Sequence, residues 1–103
     1  DGSLKEKYKK YTWKYDSNGN EVESLTYDSD GSLNGKGIKK YDSNGNMVES
    51  ASYDSDGLLT FKKTYKYNIK NRILERIFYD YEFKFGELQE TINSKNTWEY
   101  LEY

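Results

Sequence analysis

The stretch Tyr41-Asp42-Ser43-Asn44-Gly45-Asn46-Met47-Val48-Glu49-Ser50-Ala51-Ser52-Tyr53-Asp54-Ser55-Asp56-Gly57 decides the fold. The same pattern stands upstream as Tyr15-Asp16-Ser17-Asn18-Gly19-Asn20-Glu21-Val22-Glu23-Ser24, followed by Tyr27-Asp28-Ser29-Asp30-Gly31, and the two Tyr-Asp pairs are displaced by the same step. A third, eroded copy begins at Tyr67 and reaches Tyr79-Asp80. Repetition at a fixed period marks a supersecondary unit that buries little by itself and stacks on its neighbours. Within each unit the Tyr-Asp pair occurs twice, first at Tyr15 and Tyr27 and then at Tyr41 and Tyr53, so the element is a half-repeat of one turn and one strand.

Each half-repeat carries its own chain reversal. Asp16, Gly19, Asp28, Gly31, Asp42, Gly45, Asp54 and Gly57 are read as turn residues, the glycines for positive φ and the aspartates for side chains that close onto nearby backbone. Between turns the pattern has period two. From Lys7 to Tyr15, Tyr11, Trp13 and Tyr15 alternate with Lys10, Thr12 and Lys14, which predicts a strand with one aromatic face. Glu21 to Tyr27, Leu33 to Tyr41, Met47 to Tyr53 and Leu58 to Tyr67 continue the series, and Gly35 and Gly37 invite a bulge.

In the third copy Asn68-Ile69-Lys70-Asn71 replaces the Asp-Ser-Asn-Gly turn, while Ile73, Leu74, Glu75, Ile77 and Tyr79 keep their repeat positions. The strand is expected to run on past Tyr79 and end near Gly86. A helix over Ile73 to Phe85 is the alternative, from the even helical spacing of Ile73, Ile77 and Tyr81, and the β-branched and aromatic content argues against it. A last hairpin is expected from Leu88 to Ile92, turning at Asn93-Ser94-Lys95-Asn96 and returning through Trp98, Tyr100 and Tyr103. The fold class is therefore all-β: an antiparallel meander of seven or eight strands built from stacked β-hairpins, in a single-layer or shallow two-layer sheet. Residues 1–103 form one domain, with repeats starting near 15, 41 and 67 and an atypical cap at 80–103. Because Asp1-Gly2-Ser3-Leu4 reads like the end of a unit such as Asp28 to Leu33, the chain is expected to be a slice of a longer array.

Composition bounds the function. Leu, Ile, Val and Phe make up fewer than a fifth of the residues, but 12 Tyr and 2 Trp supply ring area with polar tips. That suits a thin aromatic core better than a thick sandwich. With 16 basic and 18 acidic residues interspersed, there is no cationic footprint for a phosphate backbone, so nucleic acid is not an expected partner. No apolar run approaches the ~20 residues of a membrane-spanning helix. The absence of cysteine removes disulfides and thiolate chemistry.

The segment Tyr11-Thr12-Trp13-Lys14-Tyr15-Asp16-Ser17-Asn18-Gly19-Asn20 resembles the Tyr-Asp repeat, or Rhs-like, family of tandem Tyr-x-Tyr-Asp-x-x-Gly-Asn units. Tyr15, Asp16 and Gly19 match that pattern, as do Tyr41, Asp42 and Gly45; Tyr67 matches, with Asn68 and Asn71 standing where Asp and Gly would be. The likeness covers about Tyr11 to Tyr79. It departs in its longer double unit, which runs from Tyr15 to the next full copy at Tyr41, and in the Glu and Ser that follow each turn. The resemblance implies stacked hairpins and a bacterial, exported origin, at the cell surface or outside the cell, and it implies no enzymatic activity.

Candidate chemistry is sparse. Asp28-Ser29-Asp30-Gly31 and Asp54-Ser55-Asp56-Gly57 present two alternating carboxylates each, short of the set a calcium loop requires, so no metal is expected. Glu23, Glu49 and Glu75 share one repeat position, hence one environment, whereas an acid/base pair needs two; cross-strand charges facing Lys40, Lys62 or Lys66 are expected instead. Without His or Cys, nucleophilic catalysis lacks its base, so the chain is read as non-catalytic, with no cofactor. Tyr11, Trp13, Tyr15, Tyr65 and Tyr67 form the candidate ligand-binding aromatic face, serving as core, as a stacking platform, or as both. The preferred function is a structural or binding repeat module, a spacer or adhesive surface of a larger exported bacterial protein, contacting carbohydrate or protein at the cell surface. The alternative is a carbohydrate-binding module using the aromatic face. An open N-terminal strand edge is expected to permit a homodimer.

Overall fold

The computed structural model describes residues 9–101. These form one seven-stranded antiparallel sheet in the order β1-β2-β3-β4-β5-β6-β7: β1 (Lys10–Tyr15), β2 (Glu21–Tyr27), β3 (Leu33–Tyr41), β4 (Met47–Tyr53), β5 (Leu59–Tyr67), β6 (Ile73–Lys84) and β7 (Glu87–Thr97). Every connection is a hairpin, so each strand pairs with its sequence neighbours alone. The shallow two-layer alternative is thereby excluded for the described residues, and the helix over Ile73 to Phe85 is strand instead. No helix of the described residues is long and apolar enough to cross a membrane.

The first five turns share one design. Gly19 N–H donates to Asp16 O (3.1 Å) and Asp16 N–H to Asn20 O (2.9 Å), a tight loop in which only the glycine, at φ 84°, is left-handed. Asp28/Gly31, Asp42/Gly45, Asp54/Gly57 and Asn68/Asn71 repeat both bonds. Asn71 accepts φ 64° in place of glycine and uses its side-chain oxygen to receive Asn44 and Asn46 of the neighbouring turn (3.2 and 2.9 Å). The sixth turn is tighter: Phe85 and Gly86 both have positive φ (53° and 77°), and Lys84 pairs directly with Glu87.

Each strand that leaves one of these loops skips one position of the ladder. Lys14 pairs with Glu23 but Tyr15 with Glu21, leaving Val22 unpaired, and Val48 and Leu74 are skipped at the equivalent places. Asn34 and Thr60 are skipped beside the turns at the opposite ends of the strands, and Asn93 is skipped in the middle of β7. Such bulges bend and twist the ladder locally.

The expected turn at residues 93–96 does not exist. β7 runs unbroken to Thr97 because its polar residues find partners across the ladder: Asn93 Nδ2 donates to the Asp80 carboxylate, and Asn96 Oδ1 accepts from Arg76. After β7 the chain stays beside the start of β6, where Trp98 N–H donates to Leu74 O (3.0 Å) and the Tyr100 hydroxyl to Ile73 O (2.7 Å). The expectations at residues 1–8, 102 and 103, including the array reading of Asp1 to Leu4 and the return through Tyr103, lie outside the described residues.

Burial is slight on both faces. Ala51, at 3% exposure, is the one described residue in the buried range. One face carries paired charges in register: Lys14–Glu23 (4.0 Å), Lys40–Glu49 (3.3 Å) and Lys66–Glu75 (3.7 Å). Glu49 and Glu75 thus meet the expected Lys40 and Lys66, whereas Lys62 lies over the rings of Tyr79 (4.9 Å) and Tyr81 (5.8 Å). The Tyr81 hydroxyl beside it, against the opposing cost of burial, holds the Lys62 ammonium above its ordinary range.

The turn geometry can be tested in two ways. Gly45→Val places a β-branched side chain at φ 84°, so the midpoint of thermal unfolding falls, by an amount equivalent to at least ~1 kcal/mol; an unchanged midpoint would contradict the turn geometry. The second test uses acid. Asp16 Oδ1 accepts from the Asn18 and Asn20 amides and Asp42 Oδ1 from Asn44 and Asn46 (all 2.9 Å), and the backbone amide of Asn20 or Asn46 is the leading cause that lowers each carboxyl pKa. A carboxyl with a depressed folded pKa stabilises above its unfolded value and loses that contribution as pH falls through the folded one. Asn68 makes the same two bonds, to Lys70 and Arg72, with an amide that does not titrate in this range. Hydrogen exchange, corrected for its intrinsic pH dependence, is therefore expected to lose protection at Asn20 and Asn46 below pH ~4 while Arg72 keeps its own; equal loss at all three would refute the carboxylate's role.

Candidate functional site

The aromatic positions separate into two places. Register puts Tyr11, Trp13 and Tyr15 of β1 on the face opposite the Lys-Glu pairs, together with Tyr65 and Tyr67 of β5, but β1 and β5 are four strands apart, ~19 Å at the usual spacing. The five residues share a face without forming one stripe.

On β1 the Tyr11 and Trp13 rings lie stacked, with centroids 6.1 Å apart and planes at 18°. They are 53% and 52% exposed, and Tyr15 is 62% exposed. The cause is the floor beside them. The row across the sheet from Trp13 runs through Ser24, Gly37 and Ser52, and that from Tyr11 through Thr26 and Gly35. Nothing tall stands there to cover a ring. The floor is also tight: a Cβ on Gly37 would lie 2.8 Å from Ser24 Oγ, and one on Gly35 would lie 3.3 Å from Tyr53 O. The result is a flat, half-exposed aromatic ridge beside a strip of Ser, Thr and Gly. Such a surface offers π-faces, a Tyr hydroxyl and an indole N–H to a planar or ring-shaped ligand.

On β5 the rings serve the fold. Tyr65 stands opposite Arg76, and Tyr67 donates its hydroxyl to Met47 O (2.7 Å), one strand away. Burial raises the Tyr67 phenol above its ordinary pKa, which keeps it a donor through neutral pH. Tyr41 donates in the same way to Glu21 O (2.8 Å), one full repeat earlier. Tyr65 and Tyr67 also border a shallow hollow with Val48, Asn44, Ile69 and Leu74. Trp98 shares the face of Trp13 but lies under the Arg76 guanidinium (5.5 Å), which also covers Phe78 (4.9 Å).

The alignment of these hydroxyls with carbonyls went unforeseen in the sequence, although the Tyr at 15, 41 and 67 was its signal. In the Asp turns one carboxylate oxygen, Oδ1, of Asp16, Asp42 and Asp54 receives two amides of its own loop. Among the described residues no three or more Asp or Glu side chains gather into a metal-binding group.

Likeness to known proteins lies in the fold. No family model matches the chain. No curated protein matches it. Among solved structures it is similar to a DUF3836 family protein from Bacteroides vulgatus, with a TM-score of 0.60 and 20% identity over 88% of this chain and 98% of that one. A DUF3836 family protein from Parabacteroides distasonis is similar with a TM-score of 0.54 and 15% identity over 82% of this chain and 88% of that one. At these identities the likeness speaks for the fold alone.

Proposed function

We propose that the chain is a non-catalytic structural or binding module, serving as a spacer or adhesive surface in a larger exported bacterial protein. The observation that carries this reading is the open single sheet of the described residues: both faces meet solvent, and side chains recur with the period of the repeat. The exported location rests on the resemblance of the Tyr-x-Tyr-Asp-x-x-Gly-Asn units to Tyr-Asp repeats. Protease treatment of intact cells tests it. The chain is expected to be digested while the cytoplasm stays sealed, and full protection together with absence from the medium would overturn it.

Carbohydrate binding is the second reading, favoured by the stacked, half-exposed Tyr11 and Trp13 rings. In a Trp98→Phe background, where Trp13 is the one tryptophan and is excited at a wavelength that tyrosine does not absorb, a soluble saccharide panel is expected to shift or quench emission in a saturable manner, and Trp13→Ala is expected to abolish binding measured by calorimetry. Flat titrations across the panel would reject this reading and leave the spacer.

A further inference from the structure

We propose that the outer edge of β1 pairs with β1 of a second copy of this chain, antiparallel and about a two-fold axis at Trp13. Among the described residues β1 pairs with β2 alone, so one of its edges carries no ladder. Which groups line that edge follows from the first turn. The Asp16 amide donates inward, to Asn20 O, and successive residues of a strand direct their main-chain groups to alternate sides. Tyr11, Trp13 and Tyr15 therefore point their N–H and C=O groups outward. Tyr15 is also the counterpart of Tyr41 and Tyr67, whose hydroxyls each reach a carbonyl of the preceding strand; the equivalent acceptor for Tyr15 would belong to a strand beyond β1.

Side-chain chemistry then selects the register. A two-fold pairing centred on Thr12 sets Lys10 against Lys14 of the second copy, and one centred on Lys14 sets two Lys14 residues face to face. Centred on Trp13, the aromatic face brings Tyr11 opposite Tyr15 and Trp13 opposite Trp13, each pair exchanging two main-chain hydrogen bonds. On the other face Thr12 meets Lys14, and Lys10 lies across from Asp16. Directly opposed like charges destabilise a ladder and aromatic cross-strand pairs stabilise it, so the Trp13 register prevails. The lysines that guard this edge against other strands thus exclude the wrong registers of its own copy. The two ridges become one continuous aromatic surface, still open to solvent on its face.

An edge of 6 residues covers much less than the ~1,200 Å² of a stable interface, so the dimer is weak and reversible. Sedimentation velocity is expected to show the apparent mass rising with concentration from 12.2 kDa toward twice that value. Trp13→Pro removes an outward N–H and spares the β1–β2 ladder, so it is expected to hold the chain monomeric with an unchanged circular dichroism spectrum. Register is read separately, and does not depend on that variant folding. The chain has no cysteine, and Thr12 and Lys14 form a non-hydrogen-bonded pair, where Cα atoms approach to ~4.5 Å. Thr12→Cys and Lys14→Cys proteins, mixed in equal amounts under mild oxidation, are expected to give the mixed disulfide well above the twofold excess over each homodimer that random pairing produces. A mass that stays constant up to millimolar concentration, or a mixed disulfide at or below that random share, overturns the proposal. Neither outcome touches the spacer reading, which rests on the open sheet and not on self-association.

Discussion

Every strand of this sheet has to be held by its neighbours in the plane, because among the described residues no second layer covers either face. With Ala51 the one described residue in the buried range, the hydrophobic term that dominates ordinary domains is small. Stability falls to the main-chain ladders and to the side chains that bridge them. The Tyr41 and Tyr67 hydroxyls are two of these bridges, each crossing from the end of one strand to a carbonyl at the start of the preceding strand, its neighbour in the sheet. They clamp neighbouring hairpins together beside the turns, where the bulges at Val22 and Val48 interrupt regular pairing. The hydroxyl and the bulge occupy the same corner of each repeat, and the Tyr-Asp pair is the sequence form of that corner.

The opposite face works by repetition of weak terms. Exposed ion pairs such as Lys40–Glu49 contribute ~0–1 kcal/mol each. A lysine over a half-buried ring, as Lys36 lies 5.1 Å above Tyr53, adds ~0.5–2 kcal/mol. Lys62 over Tyr79 is the same pair in the next repeat. No single contact of this kind holds a fold, but the register repeats the Lys–Glu pair in every second hairpin, β1–β2, β3–β4 and β5–β6, and stability in such a layout accumulates between nearest neighbours.

Local chemistry was legible in the sequence, and non-local pairing was not. β2, β3 and β4 begin and end at the residues their turns imply, because Asp-x-x-Gly dictates its own hydrogen bonds whatever surrounds it. Asn68 to Asn71 kept the same geometry after losing both signature residues, since an Asn side chain accepts like Asp and tolerates φ 64°. Asn93 to Asn96 misled for the matching reason: their composition is that of a turn, and what keeps them in β7 is Asp80 and Arg76 on the adjacent strand. The candidate aromatic face shows the limit again. Period-two alternation put Tyr11, Trp13 and Tyr15 on one side of their strand, but only the register reveals Ser24, Gly37 and Ser52 beside Trp13 and hence an exposed ring.

The two ends of the sheet solve the edge problem differently. At β6 the carbonyl of Ile73 occupies the position that Glu21 and Met47 hold in earlier units, so it calls for a tyrosine hydroxyl from the next strand. β7 has no tyrosine there. The chain supplies one from beyond the strand, and Tyr100 completes the bond while Arg72 packs over its ring at 5.3 Å. Beside it Arg76 spreads across Phe78 and Trp98, which covers the apolar side of the last hairpin with a cation. The Tyr-to-carbonyl bond of the repeat is thus completed at β6 by a residue that imitates the next unit, while β7 itself pairs with β6 alone among the described residues. At β1 the relation is reversed: Tyr15 is the counterpart of the donors Tyr41 and Tyr67, and among the described residues no strand precedes β1 to offer the matching carbonyl. The same bond that joins the interior hairpins is therefore satisfied from beyond the last strand and lacks its acceptor strand at the first.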